Sequence, residues 1–460
     1  MMRNQSDAPR LSGSELARAV EEATGFLVDL IRIPTVNPPG NETPAAHYVE
    51  KVMSEGGLET RFFEPAPGRG SVVTRLPADG PRDGQNDSGG KGPLLLLAHL
   101  DVVPVDEKRW RVPPFDGLVK DGYIWGRGAV DCKNMVAVWM ALILAYRRLG
   151  GLKRDLIFAA TADEEAGGQM GVGWLVEHEF EAIRADACLN EGGGMSIASG
   201  PATYFLCNNA EKAPIWLRLT AEGRPGHASM PHPDNAVLKL ARALAELTPS
   251  RLPVHITPTV RDFVAGLAAG QGFPRSLVIR QMANPALADR LLSAVFPDQE
   301  KAAGFRAMIR NTAAPTILSA GLKVNIIPSE ATAEVDCRIL PGQTADDLVR
   351  ELRAVIGEGI RIDLDRSATA TESPFPGPLG EAVAAALART HPGARAIPFL
   401  VPGATDSRFL RPRGIPSYGF FPTLPKDGFP AAHGHDERLS LESLSFAVRT
   451  LAEVIAGYAG

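Results

Sequence analysis

Several short stretches of the chain set metal-binding side chains at the edge of an apolar run. "LLLLAHLD" carries four leucines into His99 and Asp101, and "WGRGAVDCKN" places Asp131 at the start of a helical pattern. "LIFAATADEEAGG" supplies Asp163, Glu164 and Glu165, "ACLNEGGG" supplies Asn190 and Glu191, and "FPAAHGHDERL" supplies His433 and His435 just before the last helical segment. Imidazole and carboxylate are ligands suited to Zn²⁺ and similar divalent ions. Two histidines with three carboxylates are more donors than one tetrahedral ion uses, whereas two ions sharing one carboxylate use them all. Such a pair holds a water as hydroxide near neutral pH, polarises a carbonyl and stabilises a tetrahedral oxyanion, with one adjacent carboxylate left over as a base.

Taken singly, each stretch has an ordinary reading. A histidine at a strand end commonly caps or completes a core, and "DEE" before a glycine pair is a familiar acidic helix start favoured by the dipole. Short matches arise by accident. The metal reading rests on several donor groups falling at successive strand ends.

The elements that must position them follow from hydrophobic patterning. "PLLLLAHL", "RDLIFAATA" and "ADACLNE" are short apolar runs separated by helical segments, "MVAVWMALILAYRRL" and "VGWLVEHEFEAI". Strands alternating with helices predict a mostly parallel sheet covered on both faces, with its functional crevice beyond the carboxyl ends of the strands. Upstream, the pattern is helical from about Leu16, "SVVTRLP" reads as a strand, and "ADGPRDGQNDSGGKG" reads as a polar surface loop.

Near Lys212 the pattern changes. "APIWLRLTAEG", "NAVLKLARALAEL", "APTILSAG", "EATAEVDCRIL", "ADDLVRELRAVI" and "IRIDLDRSA" give a strand-helix-strand-strand-helix-strand order, that of a ferredoxin-like sandwich. The expected organisation is therefore an α/β catalytic domain, 1–211 and 371–460, with an inserted α+β domain at 212–370. Residues 251–311 read as a largely helical insertion within the latter, and a helix at 381–390, the strand "GIPSYGFF" and a helix at 441–457 restore the first pattern.

Composition narrows the function classes. At 460 residues with 45% hydrophobic content the chain can bury a sizeable core, and a net charge of -5 provides no basic field for nucleic acid. No apolar run approaches the roughly 20 residues of a membrane helix. The first residues lack a signal-peptide pattern, and four scattered cysteines without a C-x-x-C fit a reducing, cytoplasmic setting.

Across nearly its whole length the chain resembles the dinuclear zinc peptidases and deacylases that include aminoacylase, acetylornithine deacetylase, succinyl-diaminopimelate desuccinylase, glutamate carboxypeptidase and carnosinase. "HLDVVP", "GRGAVDCKN", "TADEEAGG", "GRPGHASMPH", "GATDSRF" and "HGHDERL" stand in that family's order and spacing. The resemblance implies two Zn²⁺ ions per subunit, with Co²⁺ or Mn²⁺ as substitutes. His99 and Glu191 would hold one, Glu165 and His433 the other, and Asp131 would bridge them.

By the same resemblance, Asp101 would fix the tautomer of His99 and Glu164 would be the general base. His433, four residues before Glu437, takes the ligand position and His435 a neighbouring polar role. The peptide from Asp131 to Cys132 would be cis. His227, in the inserted domain, would donate to the substrate carbonyl, in many members from the partner subunit, which implies a homodimer whose inserted domain acts as lid and dimerisation element. Asn325 in "KVNIIP" resembles a second residue of that kind. Arg408 and Arg338 are candidates to grip a substrate carboxylate, with an ion pair as the alternative for Arg338, and Gly403 is expected to allow close backbone approach.

The sequence "DCKN" is closer to the aminoacylase-like and carboxypeptidase-S-like branch, and a glutamate at 191 leans away from the carnosinase-like dipeptidases. The implied reaction is hydrolysis of an amide next to a free carboxylate, foremost in an N-acyl-amino acid. A carboxypeptidase or dipeptidase is the alternative within the same chemistry. From other classes, an inactive metal-dependent binding protein would have lost the base or a ligand, and a dinuclear phosphoesterase would want more cationic contacts near the ligands.

Overall fold

The computed structural model describes residues 8–79, 91–200, 202–247, 252–295, 299–427 and 432–460. Most of the glycine-rich loop expected at 78–92 lies outside these, as do residues 429–431 of "FPAAHGHDERL". The chain divides into two compact units, one made of Met1–Asn209, Ser373–Pro398 and Thr405–Gly460, the other of Ala210–Glu372 and Phe399–Ala404.

In the first unit the strands Leu94–His99, Leu156–Thr161, Ala187–Asn190 and Ser417–Gly419 are mutually parallel neighbours. Ser71–Leu76 joins Leu156–Thr161 antiparallel, and Glu59–Phe63 extends that edge. The continuous leucines of the central strand follow from burial on both faces. Leu94, Leu96 and Ala98 join the core beneath the helices Gly13–Ile31, Lys133–Leu149, Gly377–Thr390 and Leu441–Ala459. Leu95 and Leu97 face the other way, into a core with Val172, Leu175, Ile183, Leu410 and Ile415. Successive side chains alternate between faces, so only a strand covered twice needs an unbroken apolar run. Burying each such leucine contributes about 1.5–3 kcal/mol.

Caps mark the helix starts. Ser12 accepts from Glu15 N, and Ser440 accepts from Ser443 N at 3.0 Å; caps of this kind are worth roughly 1 kcal/mol each. The cap at Ser440 fixes the helix that follows the His433 loop. A small sheet, Leu118–Lys120, Tyr123–Trp125 and Arg438–Ser440, ties the approach to Asp131 to the segment after His433.

The second unit is a four-stranded antiparallel sheet in the order Thr312–Ala320, Glu330–Ile339, Ala213–Glu222, Arg361–Ser367. Helices Ala236–Glu246 and Ala345–Ile356 place Leu240, Ala243, Leu348 and Leu352 against its buried residues, among them Ile215, Leu219, Val335 and Cys337. This is the ferredoxin-like arrangement that the element order predicts. Between its first helix and second strand the described residues form further helices, Pro258–Ala269, Arg275–Arg280, Ala288–Val295 and Gln299–Met308. No helix among the described residues is long and apolar enough to cross a membrane. All four cysteines are free and buried.

Candidate metal centre

The donors predicted from sequence in the first unit converge. His99 is the last residue of its strand, Glu191 follows Ala187–Asn190, and Glu164 and Glu165 occupy the turn Glu164–Ala166 after Leu156–Thr161. Asp131 lies just before the helix Lys133–Leu149, and its peptide to Cys132 is cis. His433 comes from the loop before Arg438–Ser440. His99 Nε2 stands 3.2 Å from Asp131 Oδ1 and 3.9 Å from Glu191 Oε2. His433 Nε2 stands 3.1 Å from Asp131 Oδ2 and 3.2 Å from Glu165 Oε2. Asp131 thus turns one oxygen to each histidine, and each histidine has a further carboxylate beside it.

This donor set suits a divalent cation. Burial pushes Glu164 and Glu191 well above the usual carboxylate range, reinforced for Glu164 by Glu191 and for Glu191 by Asp131. Burial acts on Asp131 in the same sense, yet hydrogen bonds to His433 and His99 hold its carboxyl below that range. Bonds to Asp131 and Glu165 in turn lift His433 to about 10. Carboxylates gathered and buried in this way favour a cation among them. Ligand atoms of His99, Asp131 and Glu165 lie within 4.8 Å of one another, as do those of His99, Cys132 and Glu191. Burial pushes the Cys132 thiol up to about 12.

Asp101 organises the neighbourhood. Its backbone carbonyl is 3.0 Å and its Oδ1 3.3 Å from His99 Nδ1, so the ring's other nitrogen faces Asp131. The same carboxylate accepts the backbone N–H groups of Glu164 at 3.1 Å and Glu165 at 3.0 Å. One buried side chain therefore orients a histidine and the adjacent acidic turn.

Of the other predicted residues, Arg408 and His435 stand in the first unit and His227, Asn325, Arg338 and Gly403 in the second. Arg408, in the first unit, donates to the Gly167 carbonyl at 2.5 Å, just past the acidic turn, and its guanidinium lies over the Phe409 ring. His227 and Asn325 sit side by side in the second unit, where the Ala228 N–H donates to Asn325 O at 3.1 Å and His227 Nδ1 stands 2.7 Å from the Ser229 hydroxyl. Arg338 is committed to Asp336, two residues earlier on its strand, through two bonds of 2.9 Å. At Gly403 a Cβ would meet Val401 Cγ1 at an ordinary 3.6 Å, so no close approach among the described residues requires glycine there. His435 is exposed.

Residues that sequence reasoning left out support the centre. Glu437, fully buried, accepts the N–H groups of Val130 at 2.8 Å and Asp131 at 3.1 Å and pairs with Arg127 at 2.5 Å. Arg127 also donates to the His433 carbonyl at 3.3 Å. Asn37 donates to Asp101 Oδ2 at 2.8 Å. Their only sequence signals are a glutamate beside "HGHD" and an asparagine before a proline pair.

Comparison with known proteins identifies the family. Residues 95–457 match the model of peptidase family M20/M25/M40. The chain is 30% identical to the N-fatty-acyl-amino acid synthase/hydrolase PM20D1 of Xenopus tropicalis, over 98% of this chain and 88% of that protein. It is 28% identical to human aminoacylase-1, over 89% of this chain and 88% of that one. Among solved structures, an M20 family metallo-carboxypeptidase from Sulfolobus solfataricus superposes with a TM-score of 0.67 at 17% identity, covering 95% of this chain and 99% of the other. A dinuclear metal-binding M20 peptidase of Bacillus subtilis gives 0.59 at 14% identity, over 97% and 98%. With the family model spanning most of the sequence and a relative matched almost end to end, the chain belongs to peptidase family M20/M25/M40.

Proposed function

We propose that the protein is a metal-dependent amidohydrolase that cleaves N-acyl-amino acids, with two zinc ions as cofactor. The observation that carries the reading is Asp131 between two histidines, each with a second carboxylate, in a chain matched nearly end to end by a protein named for N-fatty-acyl-amino acids. His99 and Glu191 would hold one ion and Glu165 and His433 the other, with Asp131 available to both. When bound, such ions supply Lewis acidity towards the amide carbonyl and lower the pKa of water.

The residues of the chain supply the rest. Glu164 takes a proton from the attacking water as the new C–O bond forms, and passes it to the amide nitrogen as the C–N bond breaks. The products are a carboxylate and a free amino acid. Asp101 keeps His99 and the backbone of the acidic turn in register. Arg408, next to the same turn, is assigned to the carboxylate of the substrate. His227 and Asn325 are assigned to the substrate carbonyl, His227 from the partner subunit of a homodimer, with the second unit as lid.

The test is product release, followed by mass spectrometry, from zinc-loaded protein given N-acetyl-amino acids, long-chain N-acyl-amino acids and unblocked dipeptides. Free amino acid from the acylated compounds alone is the expected result. Release from the dipeptides alone makes the protein a peptidase and overturns the substrate assignment. Release from none makes it a binding protein, although Glu164 and all the donors are in place.

A further inference from the structure

The turn bearing Glu164 and Glu165 hangs on Asp163, whose backbone is left-handed with φ of 75°. Non-glycine residues persist in that region where their surroundings over-determine them. Here the surroundings are specific. Asp163 Oδ2 accepts the Met170 N–H at 2.8 Å, which closes the turn, while Oδ1 pairs with the guanidinium of Arg69. Arg69 Nη1 stands 3.0 Å from Glu42 Oε1 and donates to the Pro39 carbonyl at 3.3 Å. Side-chain exposure is 8% for Arg69, 0% for Glu42 and 10% for Asp163. Gly40 leaves room for the guanidinium, because a Cβ there would overlap it.

None of these three side chains donates to the metal centre or takes part in the proposed chemistry. A guanidinium buried between two carboxylates gains little net stability over an apolar filling of the same volume. What it does supply is direction: the guanidinium donates to Asp163 on one side and to the Pro39 carbonyl on the other, while Glu42 beside it provides charge without a hydrogen bond. The segment that carries Glu42 also carries Asn37, which bonds Asp101, and Asp101 holds the Glu164 and Glu165 amides. The acidic turn is thus held from one segment, 37–42, by two routes.

We propose that Arg69 is a positioning residue for the metal centre: anchored by Glu42, it fixes Asp163 and so sets the turn that presents Glu165 to an ion and Glu164 to the attacking water. The inference rests on the roles assigned to Glu164 and Glu165 above.

The experiment is calorimetric zinc binding to the metal-free full chain, in wild type, Arg69→Met, Arg69→Lys, Asp163→Asn and the double variant Arg69→Met/Asp163→Asn, with kcat, KM and Tm recorded alongside. Arg69→Met is expected to bind one of two zinc equivalents about 10- to 100-fold more weakly and the other normally, the size of effect usual for residues behind a ligand. At saturating zinc its kcat falls while KM stays within about twofold, the pattern of an interaction that matters in the transition state. Arg69→Lys recovers part of the loss, and the double variant is no worse than the worse single, because the two residues act as one unit. Leu142→Ala, at a fully buried core position of the helix Lys133–Leu149, lowers Tm and leaves both equivalents unchanged.

Wild-type affinity for both equivalents in Arg69→Met overturns the proposal, as does equal weakening of both in step with Tm. Should Arg69→Met fail to fold, Arg69→Lys and Asp163→Asn decide by the same patterns. Zinc binding is read without any turnover. A wild type that binds two equivalents yet hydrolyses no acylated substrate therefore sinks the proposed function while the Arg69 result still stands, and a wild type that binds fewer than two overturns both.

Discussion

Glu437 accepts the backbone N–H of Asp131 at 3.1 Å. The residue that faces both histidines is therefore held from behind by a carboxylate 306 positions away in sequence. The same carboxylate neutralises Arg127, which is also buried and reaches the His433 carbonyl. Glu437→Ala strips a buried guanidinium of its partner and releases two amides. The expected cost is about 3–5 kcal/mol of stability, as for other broken buried pairs. Zinc affinity is expected to fall roughly 10- to 100-fold. Thermal unfolding and zinc binding check this, and a variant within about 0.5 kcal/mol of wild type contradicts the bracing role.

His227 ends one of two paired short strands of the second unit, and Asn325 immediately precedes the other. If His227 donates to the developing oxyanion, His227→Ala lowers kcat by about 100-fold or more. If it does so across a dimer, mixing and re-equilibrating two poorly active variants, His227→Ala and Glu164→Gln, restores activity by creating one complete site per mixed dimer. Mixing without recovery, or an active monomer by sedimentation, rules out the trans arrangement.

Lys212 lies in the core of the second unit, where its ammonium donates to the carbonyls of Ala307 at 3.2 Å and Arg310 at 2.9 Å and to the Thr312 hydroxyl at 2.9 Å. Burial draws its pKa down to about 7, and Arg338 adds to the effect. The sign follows from proton counting. Between about pH 7 and the ordinary lysine value near 10.4 the unfolded chain holds a proton that the folded chain has released. Lys212 therefore costs stability below about pH 7, and the cost disappears as pH rises through that window, with a slope of at most about 1.4 kcal/mol per pH unit. Subtracting the pH-stability curve of Lys212→Met from that of wild type isolates the slope. A flat difference between pH 7 and 10 contradicts it.

Most of the donor set was legible because each donor interrupts a pattern. His99 ends a run of leucines that both faces of the sheet bury, and Glu164, Glu165 and Glu191 follow apolar strands. The ferredoxin-like order was legible in the same way, from alternation between strand and helix periods. The strand Ala202–Glu211 was not, since Asn208, Asn209 and Glu211 are all buried and erase the usual alternation. The bracing residues were hidden for another reason. Glu437 and Asn37 act on partners 64 to 310 positions distant and Arg69 reaches Asp163 94 positions away, and no local period records such contacts. Arg338 was open to two readings, and its Asp336 partner two residues away on the same strand face occupies the guanidinium.

The most direct test of the account is turnover of an N-acyl-amino acid by zinc-loaded wild type, by the same protein after chelation, and by zinc-loaded Glu164→Gln. The account predicts hydrolysis by the first, loss of it on chelation with recovery on adding zinc back, and a fall of about 100- to 10,000-fold in Glu164→Gln with both zinc equivalents still bound. Undiminished turnover in Glu164→Gln, or in the chelated protein, would contradict it.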